Sequence, residues 1–444
     1  MRLMKFGGTS VGDPARIANL CDIVRGALPL KPVVVVSAAS KVTDMLLTAA
    51  REAAAGRPSS EAVEARVTAL LGAFELDVAL VEAELSALRR TLDAIAVFRH
   101  ASPEALDLVA SFGERVSARA IAATLRLQGV DAVACDAWDL GMITDSNFTA
   151  AEPLASAPAA LRASVRARVD DGKVPVITGF IGKTEDGRVS TLGRGGSDYT
   201  AAILGAAVGS DEIEIWTDVP GVMSSDPRVV PEAHTIPALS FNEAAELAYF
   251  GAKVLHPKTI LPAVRSGIPV RVTNTFEPAH PGTVITADGA VGAEGARAIA
   301  HKKGIAVVSV VSSRMLLAHG FLARIFEVFA RHKVVVDLVS TSEVSVSCTV
   351  DREDGLEAAC AELKGIGEVT VSRERALVCV VTSAASRAGE MLPRCFSALA
   401  AEGIAVELIS MGASAINVSV VLPQADVERA VRALHRALFA AVPT

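Results

Sequence analysis

The sequence predicts an α/β domain on a mainly parallel sheet, followed by two copies of a smaller α+β unit. In the first part of the 444-residue chain, short runs of β-branched residues alternate with helical patterns. This alternation is typical of helices packed on both faces of a parallel sheet. In the C-terminal part, Val336 and Leu338 correspond to Val406 and Leu408, and the constant offset of 70 residues indicates an internal repeat.

The first domain is predicted over residues 1–285. A helix is expected from Pro14 to Gly26, and the Ala-, Glu- and Leu-rich stretch 44–100 predicts further helices. The weakly patterned Gly- and Ala-rich stretch 281–300 predicts a linker at the end of the domain. The predicted strands are 3–6, 33–36, 132–135, 174–180, 213–216 and 269–273.

The repeat predicts two further domains, over residues 301–372 and 373–444. Each copy reads as strand, helix, strand, strand, helix. The second copy leaves no room for a final strand before Thr444. Segment 368–372 could therefore complete a sheet elsewhere in the pair, which would interlock the two copies.

The composition argues against a membrane protein and against a nucleic-acid-binding protein. Hydrophobic residues make up 51% of the chain, yet no run of about 18 apolar residues occurs. The net charge is −7, and no basic block is present. The N-terminus lacks the long apolar stretch of a signal peptide, and no two of the six cysteines form a CxxC pair. These features predict a cytoplasmic protein with reduced cysteines, and the histidine spacings indicate no metal held by the protein itself.

The first of three glycine-rich segments is KFGGTSVG (5–12), which lies between a predicted strand and a helix. Backbone N–H groups and a helix N-terminus favour a phosphate there, and Lys5 would add a positive charge. The glycines alone are also compatible with an ordinary turn. The segment GFIGKT (179–184) is not a Walker A motif, because position 177 is Ile where the motif needs Gly.

The second segment, TLGRGGSDYTA (191–201), places Arg194 among three glycines ahead of a helix predicted over 198–208. An arginine in such a loop suits bidentate capture of a carboxylate. Ser197 or Asp198 could cap the helix. The third segment, WTDVPGVMSSDPR (216–228), begins where a strand ends, which is where α/β domains bind ligands.

Together these segments resemble the aspartokinase family, which has the amino-acid kinase fold. The motifs KFGGTSV, SFGE (111–114), TGFIG (178–182), TLGRGGSDYTA, WTDVPGV with DPR, and FGAKVLHP (250–257) appear in the family's order over nearly the whole chain. The resemblance implies an aspartate kinase that transfers the γ-phosphate of ATP to the side chain of L-aspartate, giving 4-phospho-L-aspartate for amino-acid biosynthesis. At this length a fused homoserine dehydrogenase is not expected.

The resemblance also implies roles for individual residues. Glu114 matches the carboxylate that receives the substrate ammonium group, Arg194 the guanidinium that holds a carboxylate, and Asp198 the acid that orients lysines around the phosphates. The implied catalytic residues are Lys5, Asp198 and Lys253. The implied aspartate contacts are Thr43, Glu114, Arg194, Gly195, Gly196 and Ser197. The implied nucleotide contacts are Lys5, Gly7, Gly8, Thr217, Asp218, Met223, Arg228 and Lys253. Met223 stands where the family often has tyrosine, and its softer side chain could fill the same space.

The repeated units resemble tandem ACT domains, which bind amino acids at their interfaces. Asp337 and Glu343 of the first copy correspond to Glu407 and Ala413 of the second, and the extra acid favours a cationic effector. This stretch resembles the lysine-inhibited aspartokinases, as does the helical insertion at 44–100. The matching effector positions are Met315, Gly320, Phe321, Leu322, Asp337, Thr341, Ser342 and Glu343. Threonine is the alternative effector, and the acids could instead cap or solvate a loop. Paired ACT sheets imply a homodimer or a dimer of dimers.

Phosphoryl transfer requires mainly positioning and charge neutralisation. Mg²⁺ is expected to be held through the ATP phosphates. No general base is needed, because the acceptor carboxylate is already ionised near neutral pH. Two alternatives stay open: a kinase of the same superfamily that acts on glutamate, acetylglutamate or uridylate, and an amino-acid sensor without catalysis. The glutamate of SFGE and the Arg194 loop argue against the first, and the intact lysines and acids argue against the second.

Overall fold

The computed structural model describes residues 1–250, 257–289, 295–316, 318–383, 388–412 and 416–439. These residues form two compact units. The first unit comprises the described residues within Met1–Val222, Thr235–Phe241 and Val254–Gly289, and the second those within Met223–His234, Asn242–Lys253 and Ala290–Thr444. The sequence predicts a single boundary near residue 285, whereas these units exchange short segments of chain.

The first unit is built on an eight-stranded sheet, with a separate three-stranded sheet of order β4-β6-β7. Its strands are β1 (Arg2–Phe6), β2 (Pro32–Val36), β3 (Ala132–Cys135), β4 (Ile143–Thr144), β5 (Val174–Thr178), β6 (Ile181–Thr184), β7 (Val189–Thr191), β8 (Glu212–Thr217), β9 (Ala238–Ser240), β10 (Val270–Asn274) and β11 (Thr283–Thr286). The large sheet has the order β3-β5-β2-β1-β8-β10-β11-β9 and is parallel except between β10 and β11.

The first nine helices are α1 (Pro14–Gly26), α2 (Val42–Ala54), α3 (Glu61–Gly72), α4 (Glu82–Phe98), α5 (Pro103–Leu127), α6 (Ala157–Asp170), α7 (Gly196–Val208), α8 (Phe241–Tyr249) and α9 (Pro257–Arg265). Of these, α8 belongs to the second unit from Asn242 onward. Local sequence explains where two key helices begin. Asp13 accepts a hydrogen bond from the N–H of Arg16 ahead of Pro14, and Ser102 accepts one from Ala105 ahead of Pro103.

Chain order places β1 at the centre of the sheet. On one side of β1 the strands are β2, β5 and β3 in spatial order, and on the other side they are β8, β10, β11 and β9. Lys5 of β1 pairs with Val35 of β2 and with Ile215 of β8. The loops that leave β2, β1 and β8 therefore meet at one edge, next to the strand where the connections change direction. That edge is where open α/β sheets bind ligands.

The second unit carries a six-stranded sheet of order β13-β14-β12-β15-β17-β16. Its strands are β12 (Ala296–Val311), β13 (Val339–Thr341), β14 (Ser345–Val350), β15 (Glu368–Thr382), β16 (Leu408–Ser410) and β17 (Asn417–Pro423), and its helices are α10 (Phe321–Arg331), α11 (Leu356–Leu363), α12 (Ala388–Ala401) and α13 (Val427–Phe439). The long strands β12 and β15 run through both repeats. Residues 368–372 pair with 307–311, and residues 376–382 pair with the first part of β12 and with β17.

Two local expectations from the sequence are wrong. The stretch 281–300 is not a plain linker, because Thr283–Thr286 form β11 and β12 begins at Ala296, while residues 290–294 lie outside the described residues. The four residues of β11 are too few to show the alternating hydrophobic pattern of a strand. Ser197 and Asp198 do not cap α7, because this helix begins at Gly196 and both lie in its first turn. Within the described ranges, no helix has both the length and the hydropathy that crossing a bilayer requires.

Candidate active site

The loop after β1 approaches its neighbours too closely for side chains. The N–H of Gly7 donates to the carbonyl of Trp216 at 3.1 Å, which ties the loop to β8. A Cβ on Gly8 would lie 3.0 Å from the carbonyl oxygen of Ala38, in the loop after β2. A side chain at position 8 would crowd that carbonyl, so glycine suits the point where the loops after β1 and β2 meet, and backbone N–H groups can face a ligand there.

Lys5 is the cation of this loop, and its partner is Asp198. The side chain of Lys5 is almost fully buried, and its Nζ lies 2.6 Å from Oδ1 of Asp198, in the first turn of α7. A Cβ on Gly7 would lie 3.7 Å from the same Nζ, so the ammonium group is beside the glycine loop. Strand β1 and helix α7 thus bring the ammonium group of Lys5 beside the glycine loop and hold it there through Asp198.

Glycines also allow the segment TGFIG (178–182) to pack closely against the segment TLGRGGSD (191–198). A Cβ on Gly179 would lie 2.7 Å from Cβ of Ser197, and one on Gly196 would lie 2.6 Å from the ring of Phe180. Gly195 adopts a φ of +71° immediately before α7, a conformation that costs glycine little. Arg194 lies exposed at the tip of this loop and makes no ion pair with any described residue.

Phe180 was not anticipated by the sequence argument. It adopts a φ of +69°, which is strained for a bulky residue, while its N–H donates to Oγ1 of Thr200 at 2.9 Å. Strained backbone often marks a functional position. Its signal in the sequence is the aromatic residue that directly follows Gly179 in the motif TGFIG.

Glu114 is a buried carboxylate on α5. It is 3% exposed, and its Oε2 has no hydrogen-bond partner in the described part of the chain. Burial raises its pKa to about 8, although a hydrogen bond from the backbone of Ala38 opposes this rise. A Cβ on the preceding Gly113 would lie 2.6 Å from Cβ of Ala38, so α5 packs directly on the loop after β2. An unpaired buried carboxylate is costly, and a ligand ammonium group would satisfy it.

Thr43 lies half-buried in the first turn of α2, which follows the loop after β2. At the end of β8, Oγ1 of Thr217 donates to Oδ1 of the exposed Asp218 at 3.2 Å. The first unit therefore brings Lys5 together with Asp198, and it holds Glu114 and Thr43 on the two helices that adjoin the loop after β2.

Three expected nucleotide contacts are not among the described residues of the first unit. Met223 and Arg228 belong to the second unit, in which the exposed Arg228 forms an ion pair with Asp226 at 2.7 Å. Lys253 lies outside the described residues. The described residues contain no cluster of three or more His, Cys, Asp or Glu side chains arranged to hold a metal ion.

The expected effector positions lie around the first repeat of the second unit. Gly320 precedes α10 with a φ of +74°, and Phe321 and Leu322 open that helix. The N–H of Ser312 donates to the carbonyl of Val344 at 2.8 Å, which brings the segment leading to Met315 against the turn of Ser342 and Glu343. Thr341 ends β13 and lies exposed just before that turn.

Asp337 lies just ahead of β13 and has a partner that the sequence argument missed. The hydroxyl of Tyr249, at the end of α8, donates to its Oδ1 at 2.5 Å. The two residues are 88 positions apart, and no sequence motif links them. In the second repeat, Glu407 corresponds to Asp337 and forms an ion pair with Arg375 at 2.6 Å. Ala413, the counterpart of Glu343, lies outside the described residues.

Comparison with known proteins agrees with this arrangement. Residues 1–274 match the amino acid kinase family, and residues 308–362 and 378–438 match an ACT domain. The chain is 37% identical to lysine-sensitive aspartokinase 3 of Escherichia coli over 98% of each chain. It is 37% identical to chloroplastic aspartokinase 1 of Arabidopsis thaliana over 98% of this chain and 80% of that protein.

Among solved structures, E. coli aspartokinase III in complex with aspartate and ADP, in its R-state, matches with a TM-score of 0.81. The sequence identity is 34%, and the match covers 99% of this chain and 100% of that one. The T-state of the same enzyme, in complex with lysine and aspartate, matches with a TM-score of 0.78, again at 34% identity and over 99% of each chain. Family, fold and the order of the motifs agree, and the chain therefore belongs to the aspartokinase family.

Proposed function

We propose that this aspartokinase transfers the γ-phosphate of ATP to the side-chain carboxylate of L-aspartate, and that L-lysine inhibits it. The observation that carries the catalytic part is the Lys5–Asp198 pair beside the glycine loop after β1. The solved E. coli relative in complex with aspartate and ADP supports the choice of both substrates.

In the proposed reaction, an oxygen of the aspartate side chain attacks the γ-phosphorus, and the bond to the leaving ADP oxygen breaks. Lys5 stabilises negative charge on the transferring group, and Asp198 holds the lysine in place. The Gly7 and Gly8 backbone contacts the phosphates. Lys253 is proposed as the second lysine. Mg²⁺ would be held by the nucleotide phosphates and would neutralise part of their charge.

Aspartate recognition is proposed to use charges of both signs. Glu114 takes the α-ammonium group, because its buried carboxylate has an oxygen without a partner. Arg194 takes a carboxylate in bidentate form, since its side chain is exposed on a fixed loop. Thr43 and the loop residues Gly195, Gly196 and Ser197 complete the contacts.

The nucleotide is proposed to extend from the glycine loop towards the segment after β8. Thr217 and Asp218 would contact it there. Met223 and Arg228 are proposed as nucleotide contacts from the resemblance of the sequence alone. Met223 would pack on the adenine in place of the tyrosine that is common in the family.

Lysine is proposed to bind the first ACT repeat at the eight effector positions given by the sequence. Asp337 and Glu343 supply negative charge, and the E. coli relative in complex with lysine and aspartate supports this effector. A homodimer or dimer of dimers would complete the ACT surfaces. The six cysteines are buried free thiols, which supports a reducing compartment such as the cytoplasm.

The test is hydroxylamine trapping of aspartyl phosphate. Purified protein receives Mg²⁺, ATP and L-aspartate, with lysine, threonine or no effector, and K5M serves as the control that keeps a long side chain without its charge. We expect hydroxamate with the parent protein, suppression by lysine, and loss of product with K5M by a factor on the order of 10² to 10³.

Each other outcome corrects a different part of the proposal. Product that lysine does not suppress removes the effector assignment and leaves the kinase. Product with glutamate but none with aspartate would mean that glutamate is the phosphoryl acceptor. Full activity in K5M removes the assignment of Lys5.

A further inference from the structure

Asp107 is a second buried carboxylate on α5, and nothing in the sequence argument used it. It is 2% exposed. Its Oδ2 accepts hydrogen bonds from the N–H groups of Thr149 and Thr191, at 2.8 and 2.9 Å, and its Oδ1 accepts one from Oγ1 of Thr191 at 2.7 Å. All three donors lie far from Asp107 in sequence, so this carboxylate connects separate segments of the first unit.

Both donor segments support the loop that carries Arg194. Thr191 is the last residue of β7, and Gly193 follows two positions later with a φ of +76°. The carbonyl oxygen of Thr149 lies only 3.0 Å from where a Cβ on Gly193 would be. The base of the Arg194 loop thus adjoins Thr191 on one side and Thr149 on the other, and Asp107 accepts hydrogen bonds from both residues.

The same helix carries the proposed ammonium site. Asp107 and Glu114 are seven residues apart, which is about two helical turns, so both project from nearly the same face of α5. One carboxylate of α5 is directed at the aspartate ammonium group, and the other fixes the loop that would hold an aspartate carboxylate.

We propose that Asp107 is a positioning residue that sets the distance between Glu114 and Arg194, and thereby makes the subsite selective for an amino acid of the length of aspartate. The proposal rests on the proposed roles of Glu114 and Arg194. Asp107 touches neither substrate, and it acts through the Arg194 loop.

The asparagine variant separates positioning from charge. In D107N the amide oxygen can accept both N–H groups, while the amide NH2 can donate to the hydroxyl oxygen of Thr191. In D107A, the two buried N–H groups lose their acceptor, and the loop base is expected to shift. Burial raises the pKa of Asp107, which is consistent with a role as a hydrogen-bond acceptor that does not need its charge.

The test measures kcat and both KM values by hydroxamate formation for D107A, D107N, R194A and the double variant D107A/R194A. We expect D107A to raise the KM for aspartate about 10- to 100-fold, because small misplacements of binding groups are costly, with the KM for ATP changed less than about threefold. D107N should stay within about threefold of the parent protein, and D107A should add less than about threefold to R194A. T124V is the matched control, since it removes a buried hydrogen bond within α5, from Thr124 to the carbonyl of Ala120, without touching the loop.

The failures are distinguishable. An unchanged KM for aspartate in R194A removes the proposed role of Arg194 itself. If R194A raises the KM for aspartate as expected, two results would overturn the positioning role of Asp107. One is an effect of D107A that is equally large in the parent protein and in R194A. The other is an equal rise in the KM values for aspartate and ATP in D107A. Should D107A not fold, T191V removes only the hydroxyl bond, and an unchanged KM for aspartate in that variant also overturns the proposal.

Discussion

Two carboxylates that are proposed to meet an amino group lie in opposite surroundings. Glu114 in the first unit is 3% exposed, and its Oε2 has no partner among the described residues. Asp337 in the second unit is half-exposed and already accepts a hydrogen bond from Tyr249. Glu114 therefore has an oxygen that could accept from a ligand ammonium group, whereas the carboxylate of Asp337 already accepts a hydrogen bond within the protein.

These surroundings determine how strongly each site can depend on its ligand. Ionising a buried carboxyl group without a partner carries a large desolvation penalty, so an ammonium group that pairs with the ionised form lowers its free energy greatly. An exposed carboxylate is solvated with or without its ligand, so binding changes the free energy less. A catalytic subsite suits the first arrangement, and a graded regulatory response suits the second.

The largest expected effect is the loss of the Glu114 carboxylate. Removing one partner of a buried charge pair costs about 2–5 kcal/mol, so E114A should raise the KM for aspartate on the order of 100-fold or more. The KM for ATP should change little. Steady-state hydroxamate assays measure both constants, and E114A with an ordinary KM for aspartate would remove the contrast between the two carboxylates.

A second effect is the pH dependence of aspartate binding. Burial raises the pKa of Glu114 to about 8 in the free protein, so its carboxyl group is mainly protonated at pH 7. An ammonium group needs the ionised form, and aspartate binding should therefore release a proton. The affinity should rise as the pH rises from 6.5 to 8, by up to about tenfold per pH unit, and level off above that. Calorimetry in buffers of different ionisation enthalpy measures the proton.

E114Q is the control for this pH effect, and it should bind aspartate weakly with a flat profile. It also reports on stability. Because the folded pKa is raised above the unfolded value, the contribution of Glu114 to stability is full below the unfolded pKa and is lost as the pH rises through about 8. E114Q should therefore gain Tm over the parent protein at pH 8 but not at pH 4. An equal Tm difference between E114Q and the parent protein at pH 4 and at pH 8 would contradict a buried, neutral Glu114.

The sequence predicted the residues that stand inside local motifs. Lys5, Arg194 and Asp198 lie in or next to glycine-rich segments, which are visible in the sequence, and Gly193 in one of them has a φ of +76°, which glycine adopts easily. The repeat of strands and helices was likewise visible, because its spacing is constant. The parallel sheet followed from its β-branched runs, of which Val33–Val36 is fully buried.

The contacts that the sequence could not predict join residues without a shared motif. Asp107 is 84 positions from Thr191, and Tyr249 is 88 positions from Asp337. A buried aspartate inside a helix and a tyrosine at a helix end have no local signature, since their partners are set by how the segments pack. The roles of these partners can be found only once the tertiary structure places them together.

A third prediction concerns the effector. D337A should raise the lysine concentration for half-inhibition about fivefold, because a half-exposed ion pair with hydrogen bonds contributes on the order of 1 kcal/mol. Activity without lysine should stay at the level of the parent protein. Inhibition curves of hydroxamate formation measure the shift, and the same curve in D337A as in the parent would place lysine elsewhere.

The smallest expected effect is that of Glu407, the counterpart of Asp337 in the second repeat. Its carboxylate is already neutralised by Arg375 at 2.6 Å, and the first repeat has Ile305 where the offset of 70 residues would place such an arginine. E407A should shift the lysine concentration for half-inhibition less than about twofold, and it should lower stability by about 0–1 kcal/mol, as expected for a partly exposed ion pair. D337A and E407A thus form a matched pair across the repeat, compared by inhibition curves and by urea unfolding. A shift in E407A as large as that in D337A would mean that both repeats bind the effector, and the internal arginine would then fail to explain why one copy differs from the other.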